Sequence, residues 1–235
     1  MISNHQTENK FLPLGDSALL IQLEDTIHLD ILAKITAIGK FLDNHPFEGL
    51  IEYVPAFSSL TIFYNPLIIG FEELKLHLKK KLNNIKSELS DVESVIRIPV
   101  VYGGEYGPDL EILSAQIGLS PEEIISIHTK PEYVVHMIGF APGFPYLGGM
   151  DERIAAPRKE KPRGQIPAGS VGIAGKQTGI YPIETPGGWQ IIGRTPQSLF
   201  NIHAENPIFL KAGNRIRFEA INAADYEKQR RESGY

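Results

Sequence analysis

The chain has 235 residues, 42% hydrophobic and 22% charged, an ordinary composition for a globular protein of one large or two small domains. A formal net charge of -5 argues against nucleic-acid binding through bulk charge, and the absence of cysteine excludes disulfides, thiolate metal sites and a cysteine nucleophile. The opening MISNHQTENK lacks a basic-then-apolar signal pattern and no apolar run approaches a bilayer-spanning length, so a cytoplasmic protein with no membrane partner is expected.

In chain order, the first strand expected is Leu19 to Leu23, after the turn at Gly15-Asp16. Ile31, Ile35, Ile38 and Leu42 recur at helical spacing, and the helix stops near Asn44-His45-Pro46 because a residue before proline avoids helical angles. Leu50 to Val54 and Leu60 to Tyr64 read as strands joined through Pro55 to Ser59. Phe71, Leu74, Leu78, Leu82 and Ile85 form a second amphipathic stripe, whose opposite face carries Lys75, Lys79, Lys80 and Lys81; a solvated face explains these lysines better than a phosphate patch. Strand, helix, two strands, helix is half of a ferredoxin-like split βαβ layout, with a last strand expected near Ser94 to Val101. His28, His45 and His77 share no metal-ligand spacing.

The polar stretch 87–94 reads as a linker, which places the domains at 1–91 and 92–235. Val95 to Val101 is a strand whose Pro99 points to an edge position. Asp109 to Ile117 reads as a helix. A second helix opens at Ser120-Pro121-Glu122-Glu123, a capping box with proline at the first helical position, and ends at Thr129-Lys130-Pro131. Tyr133 to Ile138 is a strand, Ile216, Phe218 and Ala220 mark another, and the charged run from Asp225 to Tyr235 is expected to fray. Many short strands with two short helices fit an α+β chain whose second domain is a small β-barrel.

Gly139 to Arg194 is punctuated by glycine and proline, so it holds strand-sized runs such as Val171 to Ala174 and Gln190 to Ile192, and no long helix. GSVGIAGKQ, at 169–177, fails the phosphate-loop fingerprint because Ser170 stands at the required glycine and Gln177 replaces the hydroxyl. The nucleophile-elbow pattern fails at Ala168. What remains is a set of candidates. Arg158, Arg163, Lys176 and Arg194 are cations suited to carboxylate or phosphate, or else to local acids. Phe140, Phe144, Tyr146, Tyr181 and Trp189 supply apolar walls or loop anchors. His128 and His136 are candidate acids or bases, against the alternative of buried, hydrogen-bonded histidines. Gln177 is suited to hold an amide carbonyl or to brace a turn.

The motifs GFAPGFPYLGG, PAGSVGIAGKQTGIYP, PGGWQIIGRTP and LFN carry a resemblance that spans nearly the whole chain and is strongest from Tyr133 to Phe218. The chain resembles the family of the bacterial 5-oxoprolinase B subunit, allophanate hydrolase subunit 1 and the Kip-type inhibitor of a histidine kinase. That resemblance implies a ferredoxin-like N-terminal domain followed by a cyclophilin-like barrel. It implies ATP-dependent opening of 5-oxoproline to glutamate, with ATP and magnesium as co-reactants. The implied partners are a second 5-oxoprolinase subunit, of the C type, and a metal-hydrolase-like subunit of the A type. A protein-binding inhibitor of a histidine kinase and an allophanate hydrolase or urea amidolyase component are the alternatives. On this reading His128, His136 and Gln177 are expected at the chemistry, and Arg158, Arg163, Lys176, Tyr181 and Arg194 on substrate or phosphate. Phe140, Phe144 and Tyr146 are expected at a partner chain. Asn201 and Asn214 replace carboxylates common in the family, at positions that read as structural.

Overall fold

The computed structural model describes residues 9–23, 29–82 and 94–232, which fall in two compact units, Met1–Asp91 and Val92–Tyr235. Among the described residues no helix is long and apolar enough to cross a membrane.

The first unit runs β1 (Lys10–Pro13), β2 (Ala18–Gln22), α1 (Leu29–Asn44), β3 (Leu50–Pro55), β4 (Ser59–Tyr64) and α2 (Phe71–Leu82). The sheet order is β1-β2-β4-β3, antiparallel throughout. Alternation turns Leu19, Ile21, Leu60 and Ile62 to one face, where Ile31, Ile35, Ile38, Leu74 and Leu78 from the helices complete the core. β2, α1 and β3 make the split βαβ unit around β4. The expected fourth strand near Ser94 to Val101 is not in this sheet. The place beside β2 belongs to β1, supplied by an N-terminal hairpin, and the later segment goes to the barrel. Ile85 and most of the 87–94 linker lie outside the described residues.

The second unit continues with β5 (Ile96–Tyr102), α3 (Leu110–Ile117), α4 (Pro121–Thr129), β6 (Tyr133–Ile138), β7 (Pro145–Gly148), β8 (Arg163–Ile166), β9 (Ser170–Ala174) and β10 (Gln177–Ile180). It ends with β11 (Thr185–Gly187), β12 (Gln190–Arg194), β13 (Arg215–Ala220) and α5 (Ala223–Glu232). Seven strands close a barrel in the order β10-β7-β6-β13-β5-β12-β9, with β13 and β5 parallel. β8 and β11 form a separate two-stranded ribbon. The capping box of α4 is complete: Ser120 Oγ accepts from Glu123 N–H at 3.2 Å, and the Glu123 carboxylate accepts from Ser120 N–H at 2.8 Å.

Two expectations are corrected here. Pro99 is not on an edge, since β5 lies between β13 and β12. β12 pairs with β5 only at Val101 and Tyr102, so the missing N–H of Pro99 removes no bond on that side. The terminal run does not fray from Asp225. It forms α5, anchored by Tyr226, which is buried with its ring 4.8 Å from Tyr106, and capped by Asn222 Oδ1 accepting from Asp225 N–H at 2.9 Å.

Candidate active site on the outer wall of the barrel

Alternation along β7, β9, β10 and β12 sorts side chains to the two faces of the barrel wall. Leu147, Val171, Ile173, Ile180 and Ile192 point into the main core. The opposite, outer face carries a second cluster of Phe144, Ile166, Ala174, Tyr181, Trp189 and Ile191, with Tyr146 against it. Two facing glycines, Gly172 and Gly179, give this cluster a flat floor. A Cβ on Gly179 would meet the Phe144 ring at 3.1 Å, and one on Gly172 would meet Trp189 Cβ at 3.1 Å. Gly172 and Gly179 of SVGIAGKQTGI are therefore where aromatic side chains come down on backbone. Phe144 is the hub. Its centroid lies 5.0 Å from Tyr146, 5.1 Å from Tyr181 and 5.4 Å from Trp189, the last two edge-on.

The polar candidates divide around this platform. Tyr181 and Arg194 lie in one row across Ser170, because Arg194 pairs with Ser170 and Tyr181 N–H bonds Ser170 O at 2.8 Å. Arg194 Nε donates to Ala168 O at 2.8 Å, which fixes the guanidinium at the rim. Gln177 follows one residue beyond the Thr178–Leu147 pair, which sets it opposite Gly148. His136 is the extra residue of a β-bulge between Val135 and Met137, and bulges re-aim side chains. Its ring fills the space that a Cβ on Gly148 would need. His136 and Gln177 thus share the outer face as neighbours. Burial lowers the His136 pKa, so the ring is neutral at pH 7. Gly148→Ala is expected to drive the His136 ring out of its seat and cost about 1–3 kcal/mol, read as a lowered melting temperature.

Burial pushes the Tyr181 hydroxyl up to about 12, against the opposing pull of the Trp189 backbone N–H and the Arg158 charge. Burial also raises Tyr146, and Arg158 again opposes. Both phenols are therefore protonated beside a cation, Tyr146 half-buried and Tyr181 sealed at 1% exposure. Arg158 itself is exposed and forms no ion pair with the described residues.

The other cations are committed elsewhere. Arg163 grips Asp109 with two bonds of 2.7 Å, and Lys159 adds one of 2.8 Å. The same carboxylate, 0% exposed, accepts from Ile191 N–H at 2.7 Å. Arg163 thus fastens the β8 ribbon to the barrel. Lys176, at the tip of the β9–β10 hairpin, pairs with Glu152 at 2.8 Å in full solvent. Asp109 and Lys159 are the residues that sequence reasoning missed. Fifty-four positions separate Asp109 from Arg163, and the one local signal at Asp109 is its place before a helix.

His128 is corrected: it lies inside the barrel with 0% exposure, not at a site. Thr178 spends its hydroxyl proton on Gly172 O at 3.0 Å, so Thr178 Oγ1 accepts from His128 Nε2–H at 2.9 Å. His128 Nδ1 must then accept from the Tyr102 hydroxyl at 2.8 Å. Its ring stacks on Phe218 at 4.4 Å. Phe144, expected at a partner chain, is also corrected: it is buried within this chain as the hub of the platform. Phe140 is 65% exposed and Tyr146 half-buried. Asn201 and Asn214 each accept a nearby backbone N–H, from His203 at 3.0 Å and Lys211 at 2.7 Å, as turn residues do.

Fold and site together define an α+β protein whose closed barrel bears, on its outer wall, an aromatic platform rimmed by cations and a histidine–glutamine pair. The chain belongs to the family of the carboxyltransferase domain, subdomain C and D, whose model matches residues 9–210. It is 48% identical over 230 residues to the 5-oxoprolinase B subunit of Bacillus subtilis, covering 94% of this chain and 96% of that protein. It is 42% identical over 209 residues to the 5-oxoprolinase B subunit of Escherichia coli O157:H7, covering 87% and 93% respectively. A solved structure of a conserved uncharacterized protein from Pyrococcus horikoshii is similar at a TM-score of 0.56 and 46% identity, over 92% of this chain and 100% of that one.

Proposed function

We propose that this chain is the B subunit of an ATP-dependent 5-oxoprolinase, which with partner subunits converts 5-oxo-L-proline, ATP and water to L-glutamate, ADP and phosphate. The observation that carries the reading is near end-to-end identity of 42–48% to two proteins named for that subunit. The frame is taken as a ferredoxin-like unit with β1 in its fourth place, followed by a cyclophilin-like barrel.

The chemical obstacle is a resonance-stabilised lactam. Phosphorylation of its oxygen makes the ring carbon a better electrophile, which water then opens. Arg158, with the half-buried Tyr146 hydroxyl, is suited to the substrate carboxylate and Arg194 to phosphoryl oxygens, while Tyr181, 1% exposed, is a wall of the platform beneath them. Gln177 can hold the lactam amide, and neutral His136 beside it can accept a proton from the attacking water. Lys176 remains a rim cation, since its exposed pair with Glu152 holds it weakly. The glycine-rich hairpin is strand, turn and strand, and among the described residues no group of three or more His, Cys, Asp or Glu is placed to hold a metal ion. In the proposed reaction ATP and its magnesium bind at a site completed by the partner subunits.

The test is glutamate release from 5-oxoproline and ATP by the co-purified subunits. Arg158→Ala is expected to lower kcat/KM roughly ten- to a hundredfold with the assembly intact, the loss of a charged hydrogen bond. A wild-type assembly that releases no glutamate sinks the proposal.

A further inference from the structure

Phe140 is the only non-glycine residue with positive φ among the described residues, at 72°. A left-handed backbone costs a side-chain-bearing residue about 1–2 kcal/mol, and burial does not offset it here, because the ring is 65% exposed. The loop around it is tightly closed. Ala141-Pro142-Gly143-Phe144 is a turn with Phe144 N–H bonded to Ala141 O at 3.0 Å, proline second and Gly143 third at φ 81°. Gly139 N–H bonds back to Phe144 O at 3.0 Å. The position would accept glycine with less strain. It holds a phenyl ring instead, 5.5 Å from Phe144 and edge-on to it, at the margin of the Tyr146–Tyr181 platform.

We infer that Phe140 is a substrate-positioning residue: its ring forms the open wall of the site and lies against the flat lactam ring of 5-oxoproline, while Arg158 holds the carboxylate. This rests on the function proposed above and goes beyond it by assigning Phe140 to the substrate instead of to a partner chain. The strain is then the means of holding a greasy ring in water with few accessible orientations, so that little freedom is lost when the substrate arrives.

The experiment uses the co-purified assembly with Phe140→Ala, Phe140→Gly and Phe140→Tyr. Phe140→Ala and Phe140→Gly are expected to raise KM for 5-oxoproline about five- to tenfold with kcat within about twofold, the pattern of lost uniform binding. Phe140→Tyr is expected to keep the wild-type KM. Phe140→Gly is expected to melt higher than Phe140→Ala, since glycine adopts this φ freely. An unchanged KM in Phe140→Ala overturns the inference. So does dissociation of the subunits in size-exclusion chromatography, which would make Phe140 a docking residue. An inactive wild-type assembly removes the functional reading and this inference with it. An active wild type with indifferent variants removes the inference alone.

Discussion

The Asp109→Asn variant is expected to be less stable than wild type by about 3 kcal/mol, the scale of breaking a buried ion pair by removing one partner. The carboxylate is fully buried and takes four bonds: two from Arg163, one from Lys159 and one from the Ile191 N–H. An asparagine keeps the volume but cannot accept all four, and its NH2 group faces donors. The cations retain 23% and 29% exposure, so they recover some hydration, and the loss falls at the lower end of the range for buried pairs. Urea unfolding measures it, and a change under about 1 kcal/mol would contradict the network's importance. The ribbon of β8 and β11 is expected to loosen first, so amide exchange should rise at Arg163–Ile166 and Thr185–Gly187 before the barrel opens. Burial alone would raise the Asp109 pKa. The bonds from Arg163, Lys159 and Ile191 more than reverse that, and the carboxyl titrates below its ordinary range. Its contribution is therefore complete above about pH 3.9, the unfolded value, and is lost as pH falls further.

His128 should dominate a different, milder acid window. Burial pulls its pKa down to about 3. A protonated ring would also turn Nδ1–H against the Tyr102 hydroxyl, which now donates to it. The unfolded chain takes up this proton below about pH 6.5 and the folded chain does not, so stability falls with acid at about 1.4 kcal/mol per pH unit. That amounts to roughly 3 kcal/mol between pH 6.5 and pH 4. His128→Gln is expected to be less stable at pH 7 yet to lose much less on acidification. Equal slopes for the two proteins over pH 6.5–4 would show that this histidine does not titrate as argued.

Local features were legible in the sequence because local rules determine them. The cap of α4 needs only Ser120 and Glu123, and the stop of α1 only Pro46. Features set by distant pairing were not. Pro99 reads as an edge signal, yet it is tolerated inside the closed barrel because β12 stops short of it. Tyr226 is one buried residue in a highly charged segment, too faint a stripe to mark α5. In the site, residue types were readable and their sidedness was not. His128 and His136 look alike in sequence. A helix face sends one into the core, and a bulge sends the other to the outer wall. Arg158, Arg163 and Lys176 likewise differ by their partners, and Asp109, distant in sequence but in direct contact, decides the role of Arg163.

The parallel contact of β5 with β13 has a consequence for biosynthesis. The first and last strands of the barrel lie side by side, so a nascent chain cannot shut the ring until residues near Ala220 have left the ribosome. Until then Ile96–Tyr102 presents a bare edge, and a product cut short ahead of Arg215 keeps it permanently. Such truncated chains are expected to be retained by chaperones or to associate with one another.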